Sequence, residues 1–124
     1  MRVLLVEDEA LVRMLGVDVL EEAGYEVTEA GYEVTEAGNA DEALRIMEAQ
    51  SGIKALFTDV DMPGLMDGLA LAHTVHARWP QVKVLVVSGK VRPAPDELPP
   101  GGAFMGKPYE PASLVRQLRD MLVG

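Results

Sequence analysis

The chain has no cysteine, which removes disulfides and thiolate metal sites and leaves the redox compartment open. It also lacks a long apolar run. Val3 to Val6 is far shorter than a signal peptide's core, and nothing approaches the roughly 18 residues of a membrane span. A soluble cytoplasmic protein is expected. Positive charge is scarce, with 11 Lys and Arg against 20 Asp and Glu for a formal charge of -9. Direct binding to nucleic acid or an anionic membrane is therefore disfavoured, and the expected partners are proteins or cations. No stretch of the 124 residues has a linker's composition, and 48% are hydrophobic, so one domain over residues 1–124 with a real core is expected.

What is present is organised around Ile53 to Gly64. Ala55, Leu56 and Phe57 form an apolar run too short for a helix, followed by Asp59, Asp61 and a Pro-Gly break; this predicts a buried parallel strand ending in acid. In an open parallel sheet the ligand crevice lies beyond the carboxyl ends of the strands. Other predicted strands end at the same rim: Arg2 to Val6 in Glu7-Asp8, Val82 to Val87 in Ser88-Gly89, and Ala103 to Met105 in Gly106-Lys107-Pro108. Three acids, a hydroxyl and a lysine thus come from four strand ends.

The elements between alternate with these strands. Ala10 to Ala23 places Leu11, Met14, Leu15, Val19 and Leu20 near helical spacing, with Gly24 as a C-terminal stop. Asn39 caps a second helix, with Glu42 as a capping-box partner and Ala43, Leu44, Ile46 and Met47 on its apolar side. A third helix is predicted from Gly68 to Trp79, with Leu69, Leu71, Ala72, Val75 and Trp79 as core positions and Pro80 ending it. Four prolines between Lys90 and Gly102 argue for a short turn or irregular loop where a fourth helix would fall. Pro111 opens the last helix, with Leu114, Val115, Leu118, Met121 and Leu122 expected to be buried. Repeated βα units predict a parallel sheet covered on both faces.

One feature breaks the regularity. Glu-Ala-Gly-Tyr-Glu-Val-Thr at 22–28 is repeated unchanged at 29–35, and Glu-Ala-Gly follows again at 36–38. A single short duplication is no solenoid. One strand through both copies would put Tyr25 and Tyr32 on opposite faces, because seven is odd. A hairpin would reverse the chain against the right-handed crossover. Two placements remain: the first copy prolongs helix one, with Leu20, Ala23, Val27, Ala30 and Val34 in heptad-like spacing and Gly31 as the new stop, or it loops out. Both keep the insert before the second strand and away from the acidic rim, so chemistry there is expected to survive it. A spare strand copy is also a route to swapping or edge pairing, hence to a dimer through the duplicated segment.

Leu-Val-Glu-Asp-Glu at 5–9, Thr-Asp-Val-Asp-Met-Pro-Gly at 58–64 with Met-Asp-Gly at 66–68, Val-Val-Ser-Gly at 86–89 and Lys-Pro-Tyr at 107–109 together resemble the receiver domain of two-component response regulators. The likeness covers the chain apart from the seven extra residues. It implies a flavodoxin-like three-layer sandwich with strand order 2-1-3-4-5. It implies that Asp59 accepts a phosphoryl group from a histidine kinase or histidine phosphotransfer protein. Glu7, Asp8, Asp59 and the backbone carbonyl of Asp61 match the Mg2+ site, Lys107 the lysine that pairs with the phosphoryl group, Ser88 the switch hydroxyl and Phe104 the aromatic switch position. A downstream protein target is implied too. Phe104 lacks a phenol hydroxyl, Gly106 directly precedes the lysine, and the proline-rich 90–102 stands where the family has its fourth helix. No output domain follows Gly124, as expected either of a stand-alone receiver or of a piece of a larger regulator or hybrid kinase.

The chemistry is coherent without the resemblance. Three crowded carboxylates repel one another unless a cation is present, and a hard divalent ion such as Mg2+ relieves this. Phosphoryl transfer needs an in-line nucleophile, metal and lysine to neutralise charge on the equatorial oxygens. A formed acyl phosphate offers oxygens to Ser88, vacating space into which Phe104 can turn.

Rival readings stand beside these. Asp59-Val-Asp61 after a strand also resembles haloacid-dehalogenase-like phosphatases, but those put the nucleophile on the first strand and the acidic pair last, in a larger body. A non-phosphorylated interaction module of the same fold is the other alternative. Asp8 and Glu9 alone suit solvated loop residues, Asp67 a helix cap, Asp61 a turn residue and Phe104 a core aromatic. Lys90 either reaches Asp61 and shields the phosphoryl group or is an exposed lysine. His73 and His76 suit a surface or partly buried helix better than a metal, and the seven methionines, several at core-like positions, suit gap-filling better than a cofactor site.

Overall fold

The computed structural model describes residues 1–27, 31–62, 64, 66–90 and 92–122. Five parallel strands, β1 (Arg2–Val6), β2 (Glu33–Ala37), β3 (Ile53–Asp59), β4 (Lys83–Ser88) and β5 (Ala103–Gly106), lie in the order 2-1-3-4-5. This is the flavodoxin-like arrangement expected from the alternation of short apolar runs and helical periods. Helices α2 (Ala40–Ala49) and α3 (Gly68–Arg78) cover one face, α1 (Ala10–Val27) and α4 (Pro111–Leu122) the other.

Alternation along the strands feeds both faces. Leu4, Val6, Leu56, Val84 and Val86 pack with Ala43, Met47, Leu71, Ala72 and Val75, whereas Val3, Leu5, Phe57, Leu85 and Val87 pack with Leu20, Ala23, Leu114 and Leu118. Among the described residues seven leucines are fully buried, each worth roughly 1.5–3 kcal/mol against exposure. Asn39 Oδ1 accepts from Glu42 N (2.8 Å) at the start of α2, and Asp67 Oδ1 accepts from Ala70 N (2.9 Å) at the start of α3. Each satisfies an amide that the helix cannot.

Several expected core positions lie elsewhere. Leu11, Met14 and Leu15 are 69%, 62% and 58% exposed rather than in the core. Helix α1 instead turns Gly16, Leu20 and Ala23 to the sheet, and Leu11, Met14 and Leu15 share the opposite, solvent-facing side with Asp18 and Glu22. Val115, Met121 and Leu122, like Leu69, Leu44, Ile46 and Trp79, are only partly buried. As the prolines led one to expect, the segment after β4 is irregular but for a 3₁₀ turn at Pro95–Glu97, which is tied to α3 by a 2.6 Å contact between His73 Nε2 and Glu97 O.

Gly24 does not end α1. The helix continues to Val27, Gly31 has a φ of 71°, and the second copy supplies β2. Val34 therefore belongs to the strand and not to a helical heptad, while Thr28, Glu29 and Ala30 lie outside the described residues. The chain comes back beside Gly24 at Tyr32: a Cβ on residue 24 would collide with Tyr32 N and ring, so the return needs glycine there. Gly31 thus lies just before β2, next to Met1, whose amino group donates to Gly31 O (3.4 Å).

Candidate functional site

The carboxyl ends of β1, β3, β4 and β5 bring the predicted residues together. Glu7 and Asp59 are buried, at 4% and 6% exposure, and Asp8 is exposed beside them. Carboxylate oxygens of Glu7, Asp8 and Asp59 all lie within 4.8 Å of one another. Lys107 Nζ donates to Glu7 Oε1 at 2.9 Å and to Asp59 Oδ2 at 3.2 Å. One cation therefore answers two buried anions, leaving the third acid without a like counter-charge and the cluster net negative. All three groups are hard oxygen donors, which fits a divalent cation of the Mg2+ or Ca2+ type.

The protonation equilibria follow from this crowding. Burial alone would pull the Lys107 ammonium down, but its hydrogen bonds and charge contacts with Glu7 and Asp59 outweigh that and hold it above its ordinary value. Asp8 is also raised, first by partial loss of water and then by the hydrogen bond and charge of Glu7, with Lys107 opposing. The phenol of Tyr109, edge-on to Phe57 at 5.9 Å between ring centroids, is pushed up by burial.

The remaining parts stand around this cluster. Asp61 N donates to Asp59 Oδ1 (3.3 Å), which orients the central carboxylate. The Asp61 side chain accepts from Ser88 Oγ (3.0 Å), and Lys90 N donates to that same Oγ (3.2 Å). Lys90 itself is exposed, so its described link to the site is through the backbone. Phe104 is half-buried against the core, with the Arg92 guanidinium 5.5 Å above its ring. His73 is exposed, His76 is half-buried, and neither joins the acids.

One position, Arg13, has no signal in the motifs, and the glycine of Met-Asp-Gly at 66–68 proves to have a steric role. Arg13 donates to Glu7 O (2.8 Å) and pairs with Glu36 (3.4 Å), fastening the acidic end of β1 to the end of β2; only its place one turn into α1 could have pointed to it. Gly68 begins α3 directly behind Asp59: a Cβ there would overlap the Asp59 carbonyl oxygen and Val60 Cα, while Gly68 N donates to Val60 O (3.0 Å). Helix α3 can approach the rim only because residue 68 has no side chain.

Beside the acids opens an apolar cavity of about 370 Å³. Leu5, Phe57 and Val87 form its floor, Val12, Leu15, Gly16 and Val19 of α1 one wall, and Lys107 to Tyr109 the other. With Leu11 and Met14 exposed above it, this end of α1 is an uncovered apolar surface that touches the charged cluster.

Comparison with known proteins agrees with this geometry. A model of the response regulator receiver domain family matches residues 3–119. The response regulator receiver protein CpdR of Brucella abortus (strain 2308) is 32% identical over 125 residues, covering 98% of this chain and 97% of that protein. The sensor kinase CckA of the same organism is 39% identical over 124 residues, 97% of this chain but only 12% of the kinase's length. Among solved structures, the receiver domain of the hybrid histidine kinase CckA has a TM-score of 0.72 at 32% identity, covering 98% of this chain and 99% of that one. A CheY-like receiver domain protein from Methanospirillum hungatei JF-1 reaches 0.81 at 26% identity, covering 98% and 93%.

Proposed function

Because the chain belongs to the response regulator receiver domain family, we propose that residues 1–124 form one phosphoacceptor domain in which Asp59 takes a phosphoryl group from a histidine kinase or a histidine phosphotransfer protein. An Asp59 carboxylate oxygen attacks phosphorus as the phosphorus–nitrogen bond of the donor's phosphohistidine breaks. The bonding pair leaves with the imidazole, and an acyl phosphate remains on Asp59. The observation that carries this is the Lys107 ammonium held between Glu7 and Asp59, at 2.9 and 3.2 Å, inside a ring of three carboxylates. A cation so placed can follow the charge of an arriving phosphoryl oxygen.

Glu7, Asp8 and Asp59, with the backbone carbonyl of Asp61, would hold Mg2+, which when bound neutralises charge on the transferring oxygens. Lys107 pairs with the new phosphoryl group, and Asp61 N–H keeps the Asp59 carboxylate aimed. The Ser88 hydroxyl, which donates to Asp61, turns to a phosphoryl oxygen, and Phe104 turns into the room it leaves, changing its contact with Arg92. That change alters the surface of β4 and β5 that a downstream protein reads.

The domain is a signalling component rather than an enzyme with turnover of its own; it assists its own phosphorylation and dephosphorylation. No described helix is long and apolar enough to cross a membrane, and we place the protein in the cytoplasm. Its acidity, at -9, disfavours direct contact with nucleic acid. The donor docks over the apolar end of α1, because Leu15 lines the cavity beside Asp59 and Leu11 and Met14 are exposed on the same helix. Acetyl phosphate with Mg2+ should add the mass of one PO₃ unit to the protein, and Asp59→Asn should abolish the addition. Unchanged labelling of Asp59→Asn, or steady hydrolysis of a small phosphoester, would refute the assignment.

A further inference from the structure

The tandem copies offer two identical candidates for one place at the edge of the sheet. β2 is Glu33–Ala37, Glu-Val-Thr-Glu-Ala, and residues 26–30 read the same; both are preceded by Gly-Tyr and followed by Gly. Everything that fixes β2 on β1 uses residues present in both copies. Val3 pairs with Val34 and Val6 with Ala37; Arg2 pairs with Glu33 at 3.1 Å; Glu33 N donates to Met1 O and Glu7 N to Ala37 O; Arg13 reaches Glu36. An ordinary one-residue slip turns every side chain to the wrong face. A slip by one whole repeat returns the same residue types to the same faces, so the ladder itself does not discriminate.

The two registers differ in where the seven surplus residues go. In the structure α1 runs on past Gly24 to Val27, and Gly31 lies beside Met1 at that end of the sheet. In the other register α1 stops at Gly24, as its glycine would suit, and the upstream copy enters the sheet. Gly31 to Ala37 then span the gap between the strand and the Asn39 cap of α2. That gap lies at the opposite end, where Asp8, Gly38, Asn39, Asp41 and Met66 surround an open cavity of about 490 Å³. Glu33 and Glu36 would come with the loop, adding two carboxylates beside Asp8.

We propose that the duplication makes β2 a two-register element, and that the upstream register lays Gly31 to Ala37 over the acidic rim and so restricts access to Asp59. The second half rests on Asp59 being the phosphoacceptor; the first does not. Parallel pairing makes alternate amides face β1. Since Glu33 N and Ala37 O bond to β1, the intervening Thr35 N–H faces it as well, and a proline at 35 removes that donor.

The test compares the parent chain, Thr35→Pro and the double variant Thr28→Pro/Thr35→Pro by thermal unfolding, by NMR contacts to β1 and by acetyl phosphate labelling. Thr35→Pro should keep a cooperative transition and show β1 amides in contact with residues 26–30 in place of 33–37. Its labelling should be slowed at least several-fold, and the double variant should show neither contact. If Thr35→Pro unfolds, or folds without contact between β1 and 26–30, the two-register element is refuted. If it adopts the upstream register and labels at the parent's rate, the control of access is refuted. A parent chain that accepts no phosphoryl group would overturn the phosphoacceptor assignment while the NMR contacts still decide the register.

Discussion

Replacing Lys107 with methionine keeps the length of the stem and removes the one ammonium that bridges Glu7 and Asp59. A unit pair about 3 Å apart is worth about 5 kcal/mol of Coulomb energy at an effective dielectric of about 20. The Lys107 side chain keeps 26% of its exposure while its two partners keep 6% and 9%. Solvent screening and the cost of drying the pair therefore leave about 2 kcal/mol of stability to be lost without metal. The same uncompensated carboxylates then bind a divalent cation more avidly. If the lost 2 kcal/mol is recovered on binding, Mg2+ affinity rises by roughly thirty-fold. Urea unfolding without Mg2+ should therefore show a lower midpoint for Lys107→Met, and calorimetric titration a tighter Mg2+ isotherm, while phosphoryl transfer slows. An unchanged midpoint together with equal or weaker Mg2+ binding would show that Lys107 is not the counter-charge of this cluster.

Tyr32 Oη is buried with no hydrogen-bond partner among the described residues, so Tyr32→Phe should stabilise the chain by about 1 kcal/mol; a lower melting temperature would contradict this. Lys107, Tyr32 and Tyr109 all hold their protons more tightly folded than at their ordinary values of 10.5, 10.0 and 10.0. Their contribution is thus complete below about pH 10 and lost as pH rises through the folded values. Urea midpoints measured from about pH 9 to about pH 11 should fall, and less steeply in Tyr109→Phe. Met14→Asp, on the exposed end of α1, should slow transfer from a phosphohistidine protein about tenfold or more while acetyl phosphate labelling stays at the parent rate. Equal loss with both donors would place the effect at the acceptor instead.

The sheet and the rim were legible because short apolar runs ending in Glu7, Asp59, Ser88 and Lys107 leave few other ways to fold. Helical spacing also identifies α1, but its apolar residues fall on two sides, and only folding shows that Gly16, Leu20 and Ala23 face the sheet while Leu11, Met14 and Leu15 face solvent. Arg13 and Arg92 act through a backbone carbonyl and an aromatic ring, contacts that no sequence spacing encodes. Nor could local sequence choose between two identical copies. That choice depends on the fit of a side-chain-free residue 24 against Tyr32, which exists only once the chain has folded.

Gly68 sits directly behind the Asp59 carbonyl. A saturation scan scored for signal output would consequently rank this position beside the acceptor, although glycine offers no functional group at all. Anyone transplanting the pocket into another scaffold would have to carry over that empty volume along with the charged residues.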